Sequence, residues 1–113
     1  MKRIAIIPAY EPPDAFIQYA AQVIHEVDHL VVVNDGSDSR FDAVFSQIAR
    51  LDRTTVLSYS ENRGKGFALK TAFSYCAEHF ADEDILITAD CDGQHSVNDA
   101  VKIAQMMQYK DNA

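Results

Sequence analysis

The stretch best suited to chemistry is Asp90-Cys91-Asp92-Gly93-Gln94-His95, which follows the apolar run Ile85-Leu86-Ile87. Its two carboxylates flank a single residue. Where a strand ends, residues i and i+2 point the same way, so Asp90 and Asp92 can converge on one spot. Two like charges so placed repel each other, and a divalent cation removes the repulsion. Mg²⁺ or Mn²⁺ takes hard oxygen ligands, usually one or two carboxylates together with substrate phosphates. Gln94 offers a carbonyl oxygen two residues further on. The plainer alternative is a helix cap carrying surface acids. Cys91 reads as a small packed side chain, because a thiolate is too soft for Mg²⁺. His95 is either a fourth ligand or a group on the acceptor side, and its spacing does not decide.

A second set is Arg63-Gly64-Lys65-Gly66. Backbone N–H groups and a lysine at a helix entrance suit a phosphate, and Arg63 strengthens that reading. The two glycines lack the third glycine of a dinucleotide fingerprint. Two further polar stretches are Pro8-Ala9-Tyr10-Glu11-Pro12-Pro13-Asp14 and Asn34-Asp35-Gly36-Ser37-Asp38-Ser39. Each also has a structural reading. Pro12 and Pro13 suit the start of a helix, and Gly36 to Ser39 suit a turn with an N-cap.

The elements that must position these residues follow from the apolar pattern. Ile4-Ala5-Ile6-Ile7, Leu30-Val31-Val32-Val33, Val56-Leu57 after Thr54 and Thr55, and Ile85-Leu86-Ile87 are short apolar runs. Three of them do not alternate with polar residues, as expected of strands buried on both faces of a parallel sheet. Between and after them lie stripes at helical spacing. The first is Phe16, Ala20, Val23, Ile24 and Val27, and the second is Phe41, Val44, Phe45, Ile48 and Leu51. The third is Leu69, Phe73, Cys76, Ala77 and Phe80, and the fourth is Val97, Ala100, Val101, Ala104 and Met107. The expected order is β-α-β-α-β-α-β-α. The fold class is then α/β: a doubly wound, mostly parallel open sheet with helices on both faces. Each polar stretch follows a strand, so all four share the carboxyl edge, where such sheets bind ligands.

Composition narrows the function classes. The chain has 113 residues, enough for one domain or part of one. Its net charge is -7, with 10 basic and 17 acidic residues and no basic run, which argues against nucleic acid as a partner. No apolar run approaches the ~20 residues of a membrane span, and the apolar start is too short for a signal peptide. Cys76 and Cys91 form no zinc-type spacing, so a reducing, cytosolic setting is expected. The parts together suit a nucleotide-diphosphate site: a metal, donors for phosphates, and acids for base or ribose.

Four segments, "IIPAYEPPD", "VVVNDGSDS", "NRGKGFALKTAF" and "DCDGQHS", are spread along most of the chain, from residue 6 to residue 96. In that order they resemble the family 2 glycosyltransferases, inverting enzymes of GT-A fold, and within them the dolichyl-phosphate mannose synthase-like branch. The resemblance implies the Rossmann-like nucleotide-binding half of a GT-A fold, a UDP-sugar or GDP-sugar donor, and Mg²⁺ or Mn²⁺. Pro8, Ala9, Tyr10 and Glu11 would line the nucleotide. Asp35 would hydrogen-bond the base, and Asp38 would support its loop. Arg63 and Lys65 would lie near base or phosphates. Asp90 would face ribose or metal, Asp92 would bind the metal, and Gln94 matches a metal-ligand position of that branch. The branch reads Asp-Ala-Asp-Leu-Gln-His where this chain has Cys91 and Gly93, a change that leaves the ligand oxygens in place.

The family takes its general base from an acceptor half beyond residue 113, so no catalytic residue is assigned. Residues 1–113 are therefore expected to be a nucleotide-sugar-binding domain, cut before the acceptor-binding half and inactive alone. The acceptor would be a lipid phosphate, a saccharide or a polysaccharide. The setting would be cytoplasmic, at the cytoplasmic face of a membrane in a longer parent.

Two other readings compete. A metal-dependent nucleotidyltransferase would carry a Gly-rich loop after the first strand, where Pro8-Ala9-Tyr10-Glu11 stands. A receiver-like scaffold would carry an aspartate after the third strand, where Glu61 is the only acid.

Overall fold

The first apolar run forms β1 (Arg3–Ala9), the middle strand of a five-stranded sheet. The computed structural model describes residues 1–91 and the backbone of residues 99–102. After β1 come α1 (Phe16–Ile24), β2 (His29–Asp35), a 3₁₀ turn (Ser39–Phe41) and α2 (Asp42–Ala49). Then follow β3 (Thr54–Tyr59), α3 (Lys65–His79), β4 (Ile85–Thr88) and β5 (Asp99–Lys102). The sheet order is β3-β2-β1-β4-β5. The pairs β1–β2, β1–β4 and β2–β3 are parallel, and β5 runs antiparallel to β4.

Strand alternation sorts the apolar residues onto two faces. Ala5, Ile7 and Ala9 of β1, with Leu30 and Val32 of β2, pack on Phe16, Ala20, Val23 and Ile24 of α1 and on Phe45 and Ile48 of α2. Ile4, Ile6, Val31, Val33 and Leu86 face the other way, onto α3. Both sides of β1 and β2 are therefore covered, which is why their sequences are continuously apolar. β3 is an edge strand, and its Thr54, Thr55 and Ser58 reflect that half-buried place.

Two sequence expectations need correction. The third stripe is displaced: α3 buries Ala68, Ala72 and Cys76, while Leu69, Phe73, Ala77 and Phe80 flank them half-buried. Small side chains at that spacing let the helix sit close to the large residues of β1 and β2. Part of the fourth stripe is a strand and not a helix. Residues 99–102 form β5, with Ile85 opposite Lys102 and Thr88 opposite Asp99. The open edge of β4 offers unpaired backbone groups, and a short apolar run such as Ala100-Val101 fits a strand as well as a helix. The rest of that stripe, Val97, Ala104 and Met107, lies outside the described residues.

The order of strands fixes where the crevice of the sheet lies. The chain steps from β1 outward to β2 and β3, and α3 then carries it back to β4 on the other side of β1. The direction of winding reverses between β1 and β4. Their carboxyl ends, Ala9-Tyr10-Glu11 and Ala89-Asp90-Cys91, border the crevice that such a reversal leaves.

Candidate functional site

A cavity of about 370 Å³ opens at this reversal point. Pro8, Ala9, Tyr10, Asp35, Lys65 and Asp90 are among its lining residues, drawn from four separate segments of the chain. Nζ of Lys65 lies 3.0 Å from Oδ1 of Asp90, so one wall carries an ammonium against a carboxylate. The Tyr10 ring is 49% exposed beside it. Asp92 and Gln94, the other expected metal ligands, lie outside the described residues, as does His95.

Asp35 ends β2 and is 4% exposed. Its Oδ1 accepts hydrogen bonds from the Tyr59 hydroxyl at 2.5 Å and the Arg63 amide at 2.9 Å. Its Oδ2 accepts from Nδ2 of Asn62 and from the Gly64 amide, both at 3.0 Å. Nδ2 of Asn62 also reaches the Asp35 carbonyl at 3.1 Å. Burial, and then the hydrogen bond and charge of Asp35, push the Tyr59 phenol well above its ordinary range. Tyr59 is therefore a fixed donor at neutral pH.

These bonds shape the entrance of α3. Gly64 precedes the helix with φ +92°, a backbone state that favours glycine. Lys65 is then the first helical residue, and its side chain turns to Asp90. Gly36 binds the loops from the other side. It has φ +68°, and a Cβ there would stand 2.1 Å from the Glu61 carbonyl carbon. The β2–α2 and β3–α3 loops thus touch backbone to backbone.

The loop after β1 is tied to the same block. The Ser37 amide donates to Oδ1 of Asn34 at 3.0 Å, and the Glu11 amide donates to Oγ of Ser37 at 2.8 Å. Glu11 holds φ +46°, a strained state for a residue with a side chain. Strain of this kind persists where surrounding bonds over-determine the backbone, as here.

Two expected residues are placed elsewhere. The Glu11 carboxylate turns to Arg40, 3.8 Å away, and borders a separate, larger cavity of about 680 Å³. That cavity is lined by hydroxyls and acids including Ser37, Asp38, Asp42 and Ser58, and Tyr10 stands between the two. The Arg63 guanidinium sits 5.2 Å above the Phe67 ring and 3.7 Å from Glu61, so only its amide serves Asp35.

The comparisons with known proteins give the family and likenesses of fold. The model of the glycosyl transferase family 2 matches residues 4–113. The chain belongs to that family. Over 82 residues it is 35% identical to a protein of Methanocaldococcus jannaschii described as uncharacterised, covering 73% of this chain and 31% of that one. Among solved structures it resembles a mannosyltransferase of Pyrobaculum calidifontis determined in complex with GDP-Man and Mn²⁺. The likeness has a TM-score of 0.61 and 26% identity, over 80% of this chain and 27% of the other. A 4-diphosphocytidyl-2C-methyl-D-erythritol synthase matches with a TM-score of 0.60 at 20% identity, over 80% of this chain and 46% of the other, a likeness of fold alone. The chain thus spans under a third of the archaeal protein and of the mannosyltransferase.

Sequence reasoning missed some residues of this family 2 domain. Asn62 also lines the smaller cavity, and Tyr59 holds Asp35 in its wall; neither was assigned a role. One signal was available. Asp35 and Tyr59 are the last residues of adjacent parallel strands and are register partners, so aligning the two strand ends places the phenol beside the carboxylate.

Proposed function

We propose that this chain is the donor-binding part of a glycosyltransferase that holds a nucleoside diphosphate sugar with a divalent cation at the β1–β4 reversal. The observation that carries the reading is the cavity itself. Residues as far apart in sequence as Pro8, Asp35, Lys65 and Asp90 meet there, at the edge where doubly wound sheets take ligands. The likeness to a mannosyltransferase bound to GDP-Man and Mn²⁺ supports a GDP-sugar donor and the mannose synthase-like branch.

Of the expected ligands, Asp90 lies among the described residues, and its carboxylate suits a hard cation. Oδ1 of Asp90 already accepts a positive group, the Lys65 ammonium, and carboxylate oxygen is what Mg²⁺ and Mn²⁺ prefer. Asp92 and Gln94 complete the proposed ligand set. When bound, the cation neutralises the charge that develops on the leaving diphosphate.

The chain's own groups do the positioning. Pro8, Ala9 and Tyr10 form one side of the nucleotide slot, and the Tyr10 ring offers a face for stacking; the Glu11 carboxylate faces the neighbouring cavity. Lys65 gives an ammonium, and the first turn of α3 gives N–H groups, both suited to phosphate. Arg63 adds positive charge at the loop's outer side. Transfer then proceeds with inversion at the sugar, to an acceptor held by a part of the protein beyond these residues.

The reading includes a cytoplasmic setting. It rests on the two cysteines, Cys76 and Cys91, whose spacing forms no zinc-type motif. Among the described residues, no helix is long and apolar enough to cross a membrane.

Calorimetric titration of GDP and UDP, with Mn²⁺ and then with a chelator, tests the proposal. Binding that requires the cation is expected. Absence of binding to either nucleotide in the presence of Mn²⁺ contradicts it.

A further inference from the structure

We infer that a groove between the ends of β2 and β3 and the start of α2 is a second ligand site, apart from the nucleotide cavity, and that it takes a neutral saccharide. The inference stands without the nucleotide reading. The cavity of about 680 Å³ beside Glu11 is continued by another of about 330 Å³. Asn34, Asp42 and Ser58 line both, so the two make one groove. Each lies in the size range of small-molecule sites, about 300–1,000 Å³. Strand alternation explains why this groove is separate. Leu30 and Val32 face α1 and α2, and Asn34 follows them on that face. Ser58 is its register partner on β3 and points the same way. Asp35, the next residue of β2, turns to the opposite face and lines the nucleotide cavity instead.

Asn34 decides what can bind. It is 8% exposed, and its Oδ1 accepts the Ser37 amide at 3.0 Å. A backbone N–H is met only by the oxygen of a side-chain amide, so this bond fixes which way the group points. It is the one side-chain bond Asn34 makes among the described residues, which leaves Nδ2 without an acceptor. No fully enclosed side-chain nitrogen or oxygen of those residues lacks a partner. Nδ2 therefore opens into the groove, as a donor to whatever enters.

The surrounding groups select the chemistry. Glu11, Asp38 and Asp42 give the groove three carboxylates, which repel an anion. A cation has no lone pair to offer Nδ2. Among the described residues no three His, Cys, Asp or Glu side chains are placed to hold a metal ion. A sugar hydroxyl meets both demands, because it donates to a carboxylate and accepts from an amide. Ser39, Ser58 and Ser60 serve in either sense. At one end the Tyr10 ring, 49% exposed, offers an apolar face to the C–H side of a sugar ring.

The test is amide NMR of the whole chain, titrated with mannobiose, cellobiose, maltose and lactose, and separately with inorganic phosphate and spermidine. At least one disaccharide is expected to shift the Asn34 side-chain amide and the backbone amides of Ser37, Asp42 and Ser58. Gly64, Lys65 and Asp90 are expected to stay in place. Tyr10 borders both cavities and is left out of the count. Asn34→Asp keeps an oxygen for Ser37 and turns the donor into an acceptor, and it is expected to weaken the disaccharide by about tenfold. Ser58→Ala, at an exposed position, decides the matter should Asn34→Asp fail to fold. It is expected to weaken the disaccharide by about threefold and to leave GDP binding as in the parent. No shift with any disaccharide, shifts at Gly64, Lys65 and Asp90 alone, or parent-like affinity in both variants overturns the inference. So does a response of the groove to phosphate or spermidine and to no disaccharide. A parent that binds a disaccharide here but no nucleotide would refute the nucleotide reading and leave this one standing.

Discussion

Nζ of Lys65 stands 3.0 Å from Oδ1 of Asp90, so one ion pair joins the first residue of α3 to the end of β4 across the point where the winding reverses. The two side chains are 62% and 34% exposed. A pair so open to water contributes little to folding, about 0–1 kcal/mol. Its meaning lies in the cavity, where it sets a carboxylate for a cation beside an ammonium for a phosphate.

Replacing the ammonium separates these two roles. Lys65→Met is expected to change the unfolding free energy by less than about 1 kcal/mol and to weaken nucleoside diphosphate binding by about tenfold, the scale of one charge-assisted hydrogen bond. Urea denaturation and calorimetry on the same variant check both. A large loss of stability with unchanged binding would make Lys65 a structural residue.

The glycines make opposite predictions. At Gly36 a methyl group meets the backbone of Glu61 and Asn62, and φ is +68°. Gly36→Ala should destabilise by about 2 kcal/mol or more. Gly66 lies in the first turn of α3 with nothing within 4 Å of an added Cβ. Gly66→Ala should be neutral, or stabilising by up to about 1 kcal/mol. Denaturation midpoints compare the two directly.

Acid should weaken the fold in two stages. Burial lowers the His29 pKa below 6.5, and the positive charges of Lys2 and Arg53 lower it further. Between that lowered value and 6.5 the unfolded chain binds more protons than the folded one. Stability is therefore full above 6.5 and declines as pH falls through this window. Asp84 acts further down. Burial alone would raise its pKa, but the Lys2 and Ala81 amides, at 2.8 and 3.0 Å, and the nearby positive charges outweigh it and hold the carboxyl below 3.8. Its contribution is present above 3.8 and is lost as pH falls through the lowered value. Urea midpoints measured from about pH 7 to about pH 3 should show both stages. His29→Gln should remove the first and leave the second.

Cys76 is fully buried under α3, and burial pushes its thiol up to about 12. In the native chain it should not react with a thiol reagent, and it should react once the chain is unfolded. Mass mapping of the labelled cysteine with and without denaturant checks this.

Much of this architecture was legible because its signals are local. Ile4-Ala5-Ile6-Ile7 and Leu30-Val31-Val32-Val33 are continuous because β1 and β2 are covered on both faces. Pro8, Ala9, Tyr10, Lys65 and Asp90 were legible as rim residues because each stands at or soon after the end of an apolar run or strand. What could not be read is set by contacts distant in sequence. The partners of Asp35 lie 24 to 29 residues away, and only the parallel register brings them together. β5 was missed because Ala100-Val101 carries no period of its own, and the free edge of β4 decides its conformation. The buried face of α3 was misjudged because its alanines are a weaker signal than Leu69 and Phe73, although they let the helix approach the sheet.

The central claim is that a nucleoside diphosphate and its cation occupy the cavity between β1 and β4. Backbone amide NMR of the chain, titrated with GDP or UDP in the presence and absence of Mg²⁺, tests it most directly. The account predicts cation-dependent shifts concentrated at Ala9, Tyr10, Gly64, Lys65, Asp90 and Cys91. Shifts confined to Ser37, Asp38 and Asp42 around the neighbouring cavity, or no shifts at all, would contradict it.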